Sequence, residues 1–146
     1  MKISSPIIAN SGHIPAKYTC DGGDIIPPFK FEEIPEMAKS LAIICQDPDS
    51  PNGDFVHWII FDIDPKTLEI KEGEVPTGAI EGTNDFGNSN YGSPCPGSGS
   101  HRYVFKLYAL DTKLSLTAQA VKDEFRNALK NHILAEAEII GTYQRQ

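Results

Sequence analysis

The sequence predicts a mainly β fold, an antiparallel β-sandwich with one α-helix near the C-terminus. Two observations lead to this prediction. Short runs of branched and aromatic residues alternate with segments punctuated by 11 prolines and 12 glycines. Only one segment, late in the chain, has apolar residues at helical spacing. Many short strands followed by a single helix are typical of two sheets packed face to face.

Four apolar segments predict the main strands. Residues 41–45 and 56–63 are nearly continuous apolar runs, which is typical of strands buried in a core. Residues 103–110 place Tyr, Phe, Leu and Ala at alternate positions, and residues 135–139 alternate alanine or isoleucine with glutamate. That last pattern predicts a strand with one face toward solvent.

The helix is predicted over residues 117–131, where apolar residues recur every three or four positions. Thr117 is the candidate N-cap, and Asn131 is the candidate for the helix end. The apolar residues of this pattern are Val121, Phe125, Ala128 and Leu129.

The composition limits the classes of function. A length of 146 residues predicts a single domain, residues 1–146. The net charge of −7 argues against a nucleic-acid partner, because a phosphate backbone requires a basic face. No run approaches the ~18 apolar residues of a membrane span, so we expect no membrane insertion. The first residues lack the apolar core of a signal peptide, which predicts a cytoplasmic protein.

The three cysteines predict reduced thiols. Cys20, Cys45 and Cys95 are odd in number and widely spaced, and no CxxC pattern is present. For Cys95 we expect a passive loop residue, with a modifiable thiol as the alternative. Residues 73–100 are dense in glycine, proline, serine and asparagine, which is typical of a long functional loop.

Acidic and imidazole side chains lie at or within three of the predicted strands. Asp47 and Asp49 follow the first strand, and on an extended chain their carboxylates would point to the same side. His57 lies within the second strand, and His101 opens the third directly after the long loop. Each has an ordinary structural alternative: turn caps for the acids, a core histidine for His57, and a solvent-facing edge for His101. Together they predict a site in which charged imidazoles and loop N–H groups bind a small anion.

Several motifs give the chain a family resemblance. It resembles the short prokaryotic branch of the phosphatidylethanolamine-binding proteins, also called Raf kinase inhibitor-like proteins. The motifs are residues 47–51 (DPDSP), 57–58 (HW) and 99–103 (GSHRY), with support from residues 18–22 (YTCDG), 84–87 (NDFG) and 135–143.

The resemblance implies two antiparallel sheets with Greek-key connections and a pocket at one edge for phosphate-like groups or small carboxylates. It implies that Arg102 pairs with an acidic group, and it permits a homodimer and the inhibition of a partner protein, such as a kinase or a protease. The implied pocket residues are Asp47, Asp49, His57 and His101, with the Tyr103 hydroxyl, and the implied rim residues are Gly92, Ser93, Pro94 and Cys95.

Three functions compete for these residues. The first is a non-catalytic module that binds a small anion, with no cofactor, and we favour it because no activated nucleophile is evident. The second is a hydrolase in which His57 or His101 serves as general base for Ser93, Ser98 or Ser100, although no nucleophile-elbow pattern is present. The third is a metal site built from Asp47, Asp49, His57 and His101.

Overall fold

The computed structural model describes residues 1–145. In that range the chain forms nine strands, a 3₁₀ turn at Ala16–Tyr18 and the helix α1, Lys122–Leu129. The strands are β1 (Lys2–Ser4), β2 (Gly12–His13), β3 (Phe29–Glu32), β4 (Ser40–Ser50), β5 (Gly53–Ile63), β6 (Glu69–Ile70), β7 (Ile80–Glu81), β8 (His101–Leu110) and β9 (Ile133–Tyr143). The prediction of a mainly β fold with one late helix is confirmed.

The strands form two sheets. The larger has the order β2-β9-β8-β4-β5-β7, and the smaller has the order β1-β3-β6. All paired strands are antiparallel except β2 and β9, which pair in parallel over two residues. After β5 the chain leaves the centre of the large sheet and returns as β8 on the other side of β4. This crossover brings the ends of β4, β5 and β8 together with the long loop.

Both faces of the large sheet are covered, which explains the continuous apolar run in β4. Leu41 and Ile43 contribute to the core between the two sheets, where Phe29 of the small sheet also lies. Ala42 and Ile44 point the other way, into a second cluster that contains Phe125 and Leu129 of α1. A strand between two cores has no polar face, so its sequence does not alternate.

The helix is shorter than predicted. It begins at Lys122 rather than near Thr117, because the intervening residues hydrogen-bond elsewhere. The N–H of Ala120 donates to the carbonyl of Thr117, and the carbonyl of Ala120 accepts from the N–H of Thr83. Thr83 also donates its hydroxyl to the carbonyl of Ala118. These bonds hold the segment before α1 against the long loop.

The expectation of three reduced thiols is wrong for two of them. Cys20 and Cys95 form a disulfide across 75 residues of sequence, whereas Cys45 is free and buried in the core. The two loops also meet through their backbones, since the N–H of Cys20 donates to the carbonyl of Pro94 at 3.1 Å. The spacing of cysteines along the chain does not reveal such a long-range contact. None of the helices within residues 1–145 has the length and apolar character that a membrane crossing requires.

Candidate functional site

A cavity of about 200 Å³ lies where the ends of β4, β5 and β8 meet the long loop. Five of the residues predicted for the site line it, namely Asp47, His57, Cys95, His101 and Tyr103. Sequence reasoning missed six further lining residues, namely Ser50, Pro51, Phe55, Phe86, Pro96 and Gly97. Phe55 lies two positions before His57 on the same strand, a spacing that places side chains on one face and could have pointed to it.

Asp47 and His101 form a buried pair at one side of the cavity. Nδ1 of His101 lies 2.7 Å from Oδ2 of Asp47, and Nε2 lies 3.1 Å from the carbonyl oxygen of Ser98. Both contacts are to oxygen atoms of the protein, so both ring nitrogens of His101 are occupied. Oδ1 of Asp47 accepts the N–H of Asp49 at 2.8 Å. The pair therefore satisfies most of its own hydrogen-bonding capacity.

His57 sits at an irregularity in strand β5. Cys45 pairs with Trp58 and the next residue, Gln46, pairs with Val56, so His57 is an extra residue in the ladder. The bulge lets two successive side chains face the same side of the sheet: His57 faces the cavity together with Phe55, and Trp58 enters the core between the two sheets. Nδ1 of His57 lies 2.7 Å from the carbonyl oxygen of Gly92, which can only accept, so this nitrogen carries a hydrogen.

The surroundings of His57 are apolar. Its ring packs edge to face with Phe55, Phe86 and Tyr103, with centroids 5.1, 5.3 and 5.2 Å away. Burial lowers the pKa of His57 below its usual value, and the carbonyl of Gly92 offsets this only in part. A depressed pKa keeps the ring neutral at neutral pH, with its single hydrogen on Nδ1.

The hydroxyl of Tyr103 has no partner. Tyr103 is fully buried, and its oxygen forms no hydrogen bond within the part of the chain that the structure describes. Burial and, after it, the charge of Asp47 raise the pKa of this phenol, so the group remains an O–H donor. Buried polar groups in proteins nearly always have partners, and an exception at a cavity wall indicates a place for a ligand atom.

Asp49 lies outside the cavity, contrary to the implied role. Arg102 donates Nε to Oδ2 and Nη2 to Oδ1 of Asp49, at 2.9 and 2.8 Å. These bonds hold the pKa of Asp49 at about 2. The register of β4 against β5 is irregular between Asp47 and Ser50, so the two carboxylates do not share a side. Arg102 thus has the acidic partner that the resemblance implies.

The predicted rim residues divide into two groups. Cys95 lines the cavity, whereas Gly92, Ser93 and Pro94 lie behind it and are not part of its wall. The carbonyl of Gly92 binds His57, the hydroxyl of Ser93 donates to the carboxylate of Asp24, and the carbonyl of Pro94 accepts from Cys20. These three residues position the loop and the histidine.

A larger cavity of about 730 Å³ lies elsewhere, lined by His13, Asp21, Tyr143 and Arg145 among others. There the charged groups satisfy one another, since Tyr143 and Arg145 both donate to Asp21. No group of three or more metal-ligating side chains occurs among residues 1–145. The small cavity is therefore the stronger candidate, because it alone of the two combines a buried unpartnered donor with buried imidazoles.

A model of the phosphatidylethanolamine-binding protein family matches residues 4–144. The chain belongs to this family. It is 45% identical over 150 residues to a UPF0098 protein of Methanothermobacter thermautotrophicus, with 99% of each chain covered. It is 43% identical over 152 residues to a UPF0098 protein of Aquifex aeolicus, covering 99% of this chain and 89% of the relative.

Two solved structures of family members share the fold. A phosphatidylethanolamine-binding protein homologue of Chlamydia trachomatis superposes with a TM-score of 0.95 at 37% identity, covering 99% of this chain and 97% of the other. YbcL of E. coli, described as a member of the mammalian family, gives a TM-score of 0.93 at 28% identity over 99% and 98% of the two chains. These superpositions confirm the predicted fold class.

Proposed function

We propose that the chain binds a small anion, phosphate-like or carboxylate, in the cavity between Asp47, His57, His101 and Tyr103. The observation that carries the proposal is the buried hydroxyl of Tyr103, a residue that lines the cavity and whose hydroxyl lacks a partner within the described residues. An anion oxygen in the cavity would accept this hydrogen bond. The apolar walls formed by Phe55 and Phe86 would strengthen it by excluding water.

The contacts of the serines support binding over the hydrolase alternative. Ser93 donates its hydroxyl to Asp24, and Ser98 meets His101 through its backbone carbonyl. Within residues 1–145, no serine hydroxyl hydrogen-bonds to either imidazole of the cavity, whereas an activated nucleophile lies within reach of its base. The metal alternative loses Asp49 as a ligand, because Arg102 holds both of its oxygens.

A phosphate titration of the full chain, followed by NMR of the His57 and His101 rings, tests the proposal. We expect both imidazoles to shift and saturate in the native protein. Tyr103→Phe removes the unpartnered donor and is expected to weaken binding about fivefold, the equivalent of one hydrogen bond of about 1 kcal/mol. Tyr108→Phe is the matched control, since Tyr108 belongs to the cluster beneath α1. If saturating phosphate moves neither imidazole, the proposal is wrong.

Other parts of the function stay predictions. They are the inhibition or modulation of a partner protein, the homodimer, the absence of a nucleic-acid partner and of a cofactor, and the cytoplasmic location. The disulfide is relevant to the predicted cytoplasmic location, because such bonds persist mainly in oxidising compartments and in intracellular proteins of hyperthermophiles.

A further inference from the structure

The cavity offers few free hydrogen-bonding groups to an anion. Among residues 1–145, no lysine or arginine lines it. His101 has both nitrogens engaged, by Asp47 and by the carbonyl of Ser98. Within the part of the chain that the structure describes, three side-chain groups of the lining residues are left for a ligand: the hydroxyls of Tyr103 and Ser50, and Nε2 of His57, whose ring bonds to the protein through Nδ1.

The hydroxyl of Tyr103 and Nε2 of His57 require opposite hydrogen-bonding groups from a ligand. The hydroxyl of Tyr103 donates. Nε2 of His57 accepts, because the single hydrogen of the neutral ring is held on Nδ1 by the carbonyl of Gly92. The charged groups that act on this ring are Asp47 on β4 and Asp85 in the loop after β7; both favour protonation, but burial outweighs them.

The residues around His57 do not donate a proton to its Nε2. Asp85 is bound by Lys122 at 2.9 Å and accepts the N–H of Val56 at 2.7 Å. From β8 the ring faces Tyr103, and from the loops it faces Phe86 and the backbone of Gly92 and Ser93. A bound oxyanion next to His57 therefore faces the lone pair of Nε2, which can only accept a hydrogen bond.

We propose that the cavity selects an oxyanion that carries its own proton, such as hydrogen phosphate, over one that carries none, such as sulfate. The P–OH group donates to Nε2 of His57, and another oxygen accepts from the hydroxyl of Tyr103. Sulfate carries no proton, so its oxygens can only accept hydrogen bonds. It therefore leaves Nε2 of His57 without a donor, and its lone pairs repel the lone pair of Nε2. This inference rests on the proposed anion-binding function and adds the protonation state of the ligand to it.

Parallel titrations of the full chain with inorganic phosphate and with sulfate, at about pH 7.5, test the inference. Calorimetry gives the affinities, and the NMR signals of His57 and His101 locate the binding. We expect phosphate to bind at least about tenfold more tightly, because a ligand that leaves an acceptor in the cavity unpaired loses that hydrogen bond and pays for its desolvation. As the pH falls and His57 becomes protonated, the difference in affinity between the two anions narrows.

A phosphate monoester distinguishes a free phosphate ligand from a substituted one. Methyl phosphate is mostly a dianion without a proton above about pH 6, so its binding should take up about one proton from the solution. Calorimetry in two buffers of different ionisation enthalpy counts that proton. A monoester that binds at about pH 7.5 without proton uptake contradicts the inference.

The outcomes separate the inference from the function beneath it. If sulfate and phosphate bind in the cavity with equal affinity, the anion-binding function stands and the selectivity is wrong. If neither anion moves the two imidazole signals, the anion-binding function fails and the selectivity falls with it.

Discussion

Replacing both cysteines of the disulfide with serine is expected to lower the free energy of unfolding substantially. Cys20 and Cys95 are 75 residues apart, so the bond closes a long loop in the unfolded chain. The loop-closure relation gives about 15 cal/mol/K for a loop of this size, or about 4.5 kcal/mol at 25 °C. Since measured effects often fall below the entropic value, we expect a loss of about 3 to 4.5 kcal/mol.

Urea unfolding followed by the fluorescence of Trp58 provides the assay. Trp58 is the single tryptophan and is fully buried beside Tyr91, so its emission reports on the core. With a urea slope of about 2 kcal/mol/M, the midpoint should fall by about 2 M. A reductant should reproduce this loss in the native protein and leave the double variant unchanged. A double variant within about 1 kcal/mol of the native protein would refute the reasoning.

Two further predictions follow from single contacts. The pKa of Asp49 is about 2 instead of 3.8 because the side chain of Arg102 donates to it. A lowered folded-state pKa contributes stability that is present above the unfolded value and is lost as the pH falls through that interval. Asp49→Asn should therefore reduce the loss of stability between pH 3.8 and about 2 in urea unfolding, and an unchanged acid limb would contradict this. Gly92→Ala would place Cβ 2.5 Å from Cδ2 of Phe86, so we expect a destabilisation of about 1–3 kcal/mol by thermal unfolding. Gly97→Ala is its control, because a Cβ there meets nothing within 4 Å, and equal effects of the two changes would remove the explanation.

The strands were predictable because their patterns follow from burial. The apolar run from Leu41 to Cys45 indicated a buried strand, and the structure shows β4 buried on both faces, between two cores. The start of α1 was harder to predict from the sequence. Apolar periodicity continues N-terminal to Lys122, whereas the backbone there hydrogen-bonds to Thr83. Local patterns record burial well, and they do not record which distant segment takes up a backbone hydrogen bond.

The site was predictable in its residues and less so in its geometry. The acids and imidazoles stood at strand ends, and topology brought Asp47, His57 and His101 to one cavity. The direction of each side chain depended on the register between strands. One extra residue in β5 puts the successive residues His57 and Trp58 on the same face, and the irregular end of β4 turns Asp49 to the surface. A shift of one residue reverses the face of a side chain, so this information lies in the pairing rather than in the pattern.

The hydroxyl of Tyr103 lowers the stability of the folded protein, which a residue with a purely structural role would not be expected to do. A buried donor without a partner destabilises the fold by about 1–3 kcal/mol, and a phenylalanine of nearly the same shape would avoid that cost. Tyr103→Phe should therefore leave the free protein as stable as before or more so, while it weakens anion binding. A structural role predicts the opposite sign for stability and no effect on binding. The change in stability and the change in anion affinity of this variant together decide whether the cavity is a binding site or a packing defect.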